Sequence, residues 1–132
     1  PLTHIEIYKY VKTRMPFNNQ TLMFKKSAVL DSGNFKPFHL LEDYYMWARV
    51  IAKGYKTANL PDVLVDMRVS PAMYERRGGW KYFLSNKKLF DEMRKLGLLN
   101  LWEYYYTLTI RFGVQVLMPN CLRSMFYQKA LR

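Results

Sequence analysis

The sequence predicts an α/β chain that is mostly helical, with short strands and a helical C-terminal third. Tyr44, Trp47, Ala48 and Ile51 recur at helical spacing behind an acidic pair, Glu42-Asp43. Gly54 closes that stretch, where a left-handed residue commonly ends a helix. Val63, Val65, Met67 and Val69 alternate with Leu64, Asp66 and Arg68, the period of a strand with one buried face. From Trp80 onward the apolar residues return to helical spacing, with stops at Gly97 and Pro119.

In chain order, Thr3-His4-Ile5-Glu6 fits a capping box, and the helix it opens should run to about Thr13 with Ile5, Tyr8 and Val11 buried. His4, in its first turn, is read as exposed and inert. Residues 16–20 form a turn. Thr21-Leu22-Met23-Phe24 reads as a short strand, and Ser27 caps a brief helix from Ala28 to Ser32 that Gly33 ends. The loop from Asn34 to Leu40 carries Phe35, Pro37, Phe38 and His39, which either floor a pocket or pack on the neighbouring helix. The central helix follows, from Glu42 to Lys53. Tyr55 to Asn59 approaches a second strand, which Val63 to Val69 supplies.

Ser70 to Gly79 is a loop bearing Arg76-Arg77-Gly78-Gly79. Its glycines make it pliable. Its arginines either clamp phosphate oxygens in a bidentate fork or form a solvated basic loop. Trp80 to Leu96 is a helix with Tyr82, Leu89, Met93 and Leu96 on one face. Leu101 to Met118 is a helix rich in aromatics, and a short final helix carries Leu122, Met125, Phe126 and Leu131 with Arg123, Lys129 and Arg132. These last helices pack on the domain or a second copy, or lie on anionic lipid, since they mix basic and aromatic residues.

A length of 132 residues suits one domain with a modest core. An apolar share of 50% with 17% aromatics argues against disorder. The formal charge of +11 calls for an anionic partner: nucleic acid, lipid head groups or a phosphorylated ligand. Cys121 stands alone and can form no internal disulfide, which fits a reducing compartment. Arg111 interrupts the most apolar run, so a membrane-spanning helix is rejected. The chain opens at Pro1 without methionine, and it reads as a piece of a longer protein.

The residues contain no Gly-rich phosphate loop, no Cys/His metal cluster, no nucleophile elbow and no Asp-x-Asp pair. Acidic residues in a first helical turn are favoured by the helix dipole, which alone accounts for Glu42-Asp43. The sharper reading makes Asp43 a general base at the mouth of a pocket.

A resemblance separates the two. Residues 14–21 (Arg14 to Thr21), Phe24-Lys25-Lys26-Ser27, Gly33, Glu42-Asp43-Tyr44-Tyr45-Met46-Trp47-Ala48-Arg49, Gly54-Tyr55-Lys56 and residues 59–65 (Asn59 to Val65) together resemble the C-terminal half of bacterial family 2 glycosyltransferases. Order and spacing over roughly residues 10–80 carry the likeness. The tail from Leu101 is similar to the helical extension of capsule and cell-wall members. The resemblance implies the C-terminal half of a GT-A, nucleotide-diphospho-sugar transferase fold. Residues 1–79 would be the acceptor-side part of the catalytic domain and residues 80–132 a helical extension.

Such enzymes invert the sugar in one displacement, which needs a carboxylate to take the acceptor proton. The resemblance gives that task to Asp43 and an orienting role to Glu42. It places Arg76 and Arg77 on a loop that closes over the donor diphosphate, with Arg68 a second candidate. Many relatives carry histidine near Asn19, a position on the acceptor side. The implied cofactor is a divalent cation, Mg or Mn, whose ligands would precede Pro1 with the rest of the donor half, leaving this piece inactive alone. The implied partners are a nucleotide-diphosphate sugar donor and a saccharide or lipid-linked acceptor. The implied place is cytoplasmic, peripheral at the inner face of the plasma membrane. An unpaired sheet edge would favour a homo-oligomer. The rival classes are a basic membrane-surface module and a nucleic-acid-binding module. The second is disfavoured, because the aromatics fall at core spacing and the charge is spread along the chain.

Overall fold

A computed structural model describes residues 1–66 and 77–119. The described residues form five α-helices: α1 (His4–Tyr10), α2 (Lys26–Asp31), α3 (Glu42–Ala52), α4 (Trp80–Lys95) and α5 (Leu101–Phe112). A 3-10 turn spans Asn19–Thr21, and a π-helical turn, Gly113–Leu117, continues α5.

The capping box of α1 forms as expected: the Glu6 amide donates to Thr3, and the Thr3 amide donates to the Glu6 carboxylate. The helix ends at Tyr10, short of Thr13. Its buried side chains are Ile7 and Val11, while Ile5 is 69% exposed. So short a helix has no register of its own; the face is chosen by the Tyr44 hydroxyl, which donates to the Val11 carbonyl and turns that edge toward α3. His4 is half-buried, not exposed. The Thr57 amide donates to its Nδ1 at 3.3 Å, and the Thr57 hydroxyl lies 3.1 Å from the same nitrogen.

Lys25 stands at the cap position of α2 and Ser27 lies inside the helix, whose first turn has no side-chain cap. Gly33 (φ +83°) and Gly54 (φ +84°) end α2 and α3 in the left-handed region that glycine allows. Helix α3 buries Tyr44, Trp47, Ala48 and Ile51 as its periodicity requires, and Met46, Arg49 and Val50 besides, because neighbours cover it on several sides. The core joins these to Ile7, Val11, Leu89, Phe90, Met93, Leu98, Leu99 and Tyr104. Each such large side chain contributes about 1.5–3 kcal/mol by leaving water.

The strands do not form among the described residues. Leu22 (φ −86°, ψ 134°) and Lys25 (φ −74°, ψ 121°), at the two ends of residues 22–25, are extended. A strand needs a neighbouring backbone to complete its hydrogen bonds, and this segment has none among the described residues. Residues 55–66 are also irregular, and their one backbone tie to the N-terminus is from the Asn59 amide to the Leu2 carbonyl at 3.0 Å. Residues 67–69 of the expected second strand, and the whole final helix, lie outside the described residues.

Helix α4 buries Phe83, Asn86, Leu89, Phe90 and Met93; Tyr82 is half-buried and packs against the core, while Leu96, at the end of the same face, is exposed. Gly97 (φ +76°) turns the chain, and Asn100 and Glu103 cap α5 reciprocally. Glu103 also pairs with Lys12 at 2.6 Å, joining α5 to the end of α1. The expected helix to Met118 forms as α5 to Phe112 and continues as the π turn to Leu117, where the Met118 amide donates to the Gly113 carbonyl at 3.0 Å and widens the turn.

Candidate active site

The site is built on the first two turns of α3. Leu40 precedes it with φ +59°, a conformation that costs an L-residue roughly 1–2 kcal/mol. Strain of this kind gathers where a loop must aim the next residues. Glu42 is exposed and Asp43 is half-buried. Asp43 Oδ1 accepts from the Tyr44 amide at 2.7 Å, satisfying one of the free amides at the helix start. Oδ2 holds no hydrogen bond among the described residues. A carboxylate fixed by one oxygen and open at the other can accept a proton from a hydroxyl brought to it.

Trp47 lies one turn below Asp43 on the same face of α3. Phe17 and Phe24 pack edge-on against its ring, at 5.6 and 5.5 Å. The turn that holds Asn19 lies in sequence between these two phenylalanines, and Asn19 itself is exposed. The other flank is formed by Tyr45. Its ring lies 4.9 Å from that of Phe38, and its hydroxyl donates to Glu92 of α4 at 3.4 Å. Burial and then the neighbouring Glu92 carboxylate raise the Tyr45 pKa, so it remains a neutral donor.

Below the pair, Arg49 is buried with no carboxylate partner among the described residues. Nη1 donates to the Ser32 carbonyl at 2.6 Å and Nη2 to the Asn34 carbonyl, and the guanidinium lies 4.5 Å from the centre of the Tyr45 ring. Burial pushes its pKa down from the usual value, and arginine nonetheless stays charged. Arg49 thereby fastens the end of α2, and the loop leading to Leu40, to the helix that presents Asp43.

Glu42 and Asp43 stand side by side in the first turn of α3, and the Asn19 turn is joined to that helix through the packing of Phe17 and Phe24 on Trp47. Arg77 is half-buried just before α4 and holds no ion pair among the described residues. Gly79, which opens α4, donates its amide to the Gln115 carbonyl at 2.8 Å. Arg68 and Arg76 lie outside the described residues. Among the described residues no group of three His, Cys, Asp or Glu side chains converges as a metal site. The implied Mg or Mn ion finds no fitting ligand set here.

Sequence reasoning overlooked Arg49, Lys81 and Lys88. A basic residue in a last helical turn ordinarily reads as a partner for the helix dipole. The available signal was the breadth of α3's apolar surface, which leaves Arg49 no exposed face.

The family model described as "Glycosyl transferase family group 2" matches residues 2–130. Among curated proteins, an "Uncharacterized glycosyltransferase" of Haemophilus influenzae is 39% identical over all of this chain and 48% of its own length. The "UDP-Gal:alpha-D-GlcNAc-diphosphoundecaprenol beta-1,3-galactosyltransferase" of Escherichia coli is 34% identical over 96% of this chain and 46% of its own. The "Amylovoran biosynthesis glycosyltransferase AmsE" of Erwinia amylovora is 30% identical over 98% of this chain and 48% of its own. The chain therefore spans about half the length of the curated relatives it matches. No solved structure matches. With the family model covering nearly every residue and each of these relatives a glycosyltransferase by name, the chain belongs to glycosyl transferase family group 2.

Proposed function

We propose that the protein carrying this chain is an inverting glycosyltransferase of cell-surface polysaccharide synthesis, and that the chain is the acceptor-side half of its GT-A fold. The observation that carries the reading is the placement of Asp43, half-buried at a helix start with one oxygen anchored and the other open. The acceptor hydroxyl oxygen forms its bond to the anomeric carbon while the bond from that carbon to the nucleoside diphosphate breaks. The hydroxyl proton passes to Asp43, and the electron pair of the broken bond leaves with the diphosphate. Glu42 orients the acceptor, and Asn19 contributes from the adjoining turn. Arg76 and Arg77 steady the departing diphosphate, with Arg68 a further candidate. The family implies a divalent cation, Mg or Mn. The described residues offer it no ligand set, and none of these steps is drawn through it.

The donor is a nucleotide-diphosphate sugar and the acceptor a saccharide or lipid-linked saccharide. The E. coli relative is named for a diphosphoundecaprenol acceptor, which supports the lipid-linked form. No helix of the described residues is long and apolar enough to cross a membrane. The exposed side chains of α5, including Leu101, Trp102, Tyr105, Tyr106 and Ile110, support a peripheral place at the inner face of the plasma membrane. Self-association remains part of the same proposal.

The test is Asp43→Asn in the full-length enzyme, with donor affinity measured separately. Turnover should fall about 100- to 10,000-fold while donor affinity holds. Glu42→Gln should cost less. Near wild-type turnover of Asp43→Asn would reduce Asp43 to a helix-start residue.

A further inference from the structure

A groove of about 330 Å³ lies between the loop before α3 and the first half of α4. Phe38 and His39 line it on one side, and Lys81, Leu84, Ser85 and Lys88 on the other. Lys81, Ser85 and Lys88 follow one another at helical spacing, so α4 presents them as a single stripe.

The lysines of α4 divide into two sets. Lys87 pairs with Asp91 at 2.9 Å and Lys95 with Glu92 at 2.8 Å. Lys81 and Lys88, the two that line the groove, have no carboxylate within salt-bridge distance among the described residues. The Lys88 ammonium sits 5.3 Å from the centre of the Phe38 ring, and Phe38 itself packs on Tyr45, two residues past Asp43. Among the described residues, none that lines the groove is acidic.

We propose that this groove binds the diphosphate and adjoining hydrocarbon of a lipid-diphosphate-linked acceptor, an assignment that rests on the glycosyltransferase reading above. The two lysines and His39 meet the phosphate oxygens with charge and hydrogen bonds. Phe38 and Leu84 meet the hydrocarbon. This mixture suits an amphiphile better than a nucleotide, whose ribose hydroxyls beside the diphosphate need polar partners. His39 lies four residues before Asp43 in the chain, and Phe38 packs on Tyr45 of the helix that carries Asp43.

The full-length protein would be titrated with geranyl diphosphate, inorganic diphosphate, uridine diphosphate and phosphatidylglycerol vesicles. The same titrations would follow for the double variant Lys81→Gln/Lys88→Gln and for Lys81→Arg/Lys88→Arg. Geranyl diphosphate should bind the wild type more tightly than inorganic diphosphate. The Gln variant should weaken it at least about tenfold, the Arg variant should retain it, and uridine diphosphate should bind all three alike. Thermal melts should show the variants folded, since both lysines are exposed.

Failure of geranyl diphosphate to bind, or equal binding to wild type and the Gln variant, would overturn the assignment. A parallel loss of uridine diphosphate affinity would make the groove part of the donor site. Equal affinity for inorganic diphosphate would leave no role for the hydrocarbon. Loss of vesicle binding alone would show a lipid-surface contact instead. Each of these results leaves the Asp43→Asn turnover test unaffected, so the groove and the general base fail separately.

Discussion

Arg49 offers the most direct test of how the fold holds the catalytic helix. Replacing it with methionine removes the guanidinium and keeps much of the apolar stem. The buried Ser32 carbonyl loses its donor at 2.6 Å, and an unsatisfied buried acceptor costs about 1–3 kcal/mol. The Asn34 carbonyl belongs to an exposed residue, which water can serve, so its loss adds little. The stacking on Tyr45 adds roughly 0.5–1 kcal/mol. Relief of one buried charge offsets part of this, and the net expectation is a loss of about 2–3 kcal/mol. Urea unfolding of the full-length protein, followed by circular dichroism, measures it. Arg49→Lys should fall between, because one ammonium cannot reproduce the planar fork.

Gly33 sharpens the test. A Cβ there would lie 2.9 Å from Arg49 Nη1, at a backbone φ of +83°. Gly33→Ala should therefore destabilise, and should cost less in the Arg49→Met background, where the crowding partner is gone. Arg49→Met within about 0.5 kcal/mol of wild type, the range of an ordinary surface change, would refute the anchoring role, as would strict additivity with Gly33→Ala.

Arg77→Ala in the full-length enzyme should mainly lower kcat if the side chain steadies the leaving diphosphate, whereas a rise confined to the donor KM would show that it only binds. Glu103→Gln should lower stability at neutral pH by about 0.5–1 kcal/mol, chiefly through the lost ion pair with Lys12, because glutamine can still reach the Asn100 amide. The Lys12 ammonium, and then the Asn100 amide, hold the Glu103 carboxyl below its ordinary pKa against the opposing effect of burial. Its contribution is thus present above the ordinary glutamate range and lost as pH falls through the lower folded value; the variant and wild type should converge in acid melts. Binding to anionic vesicles should fall with added salt, since screening weakens the attraction to a basic surface. Equal binding to neutral vesicles would contradict that expectation.

Features set by a few neighbouring residues were legible before any coordinates. Thr3 with Glu6, the glycines at 33, 54 and 97, and the buried stripe of α3 follow from local rules: a capping box needs a side chain three residues away, and a positive φ favours glycine. The ordered motifs around Glu42-Asp43 pointed to the family that the comparison over residues 2–130 shows. Tertiary structure decided what depends on distant partners. Leu22 and Lys25 have extended dihedrals at either end of residues 22–25, yet strand pairing requires a second backbone beside them. Ile7 rather than Ile5 faces inward because Tyr44, far along the chain, takes the Val11 carbonyl. His4 is drawn into the structure by Thr57, and Arg49 by carbonyls of the turn after α2. Lys81 and Lys88 look like any solvated helix face until the loop before α3 is laid against them. Periodicity reports which residues share a face of a helix, and only the packing of the other elements determines what that face meets.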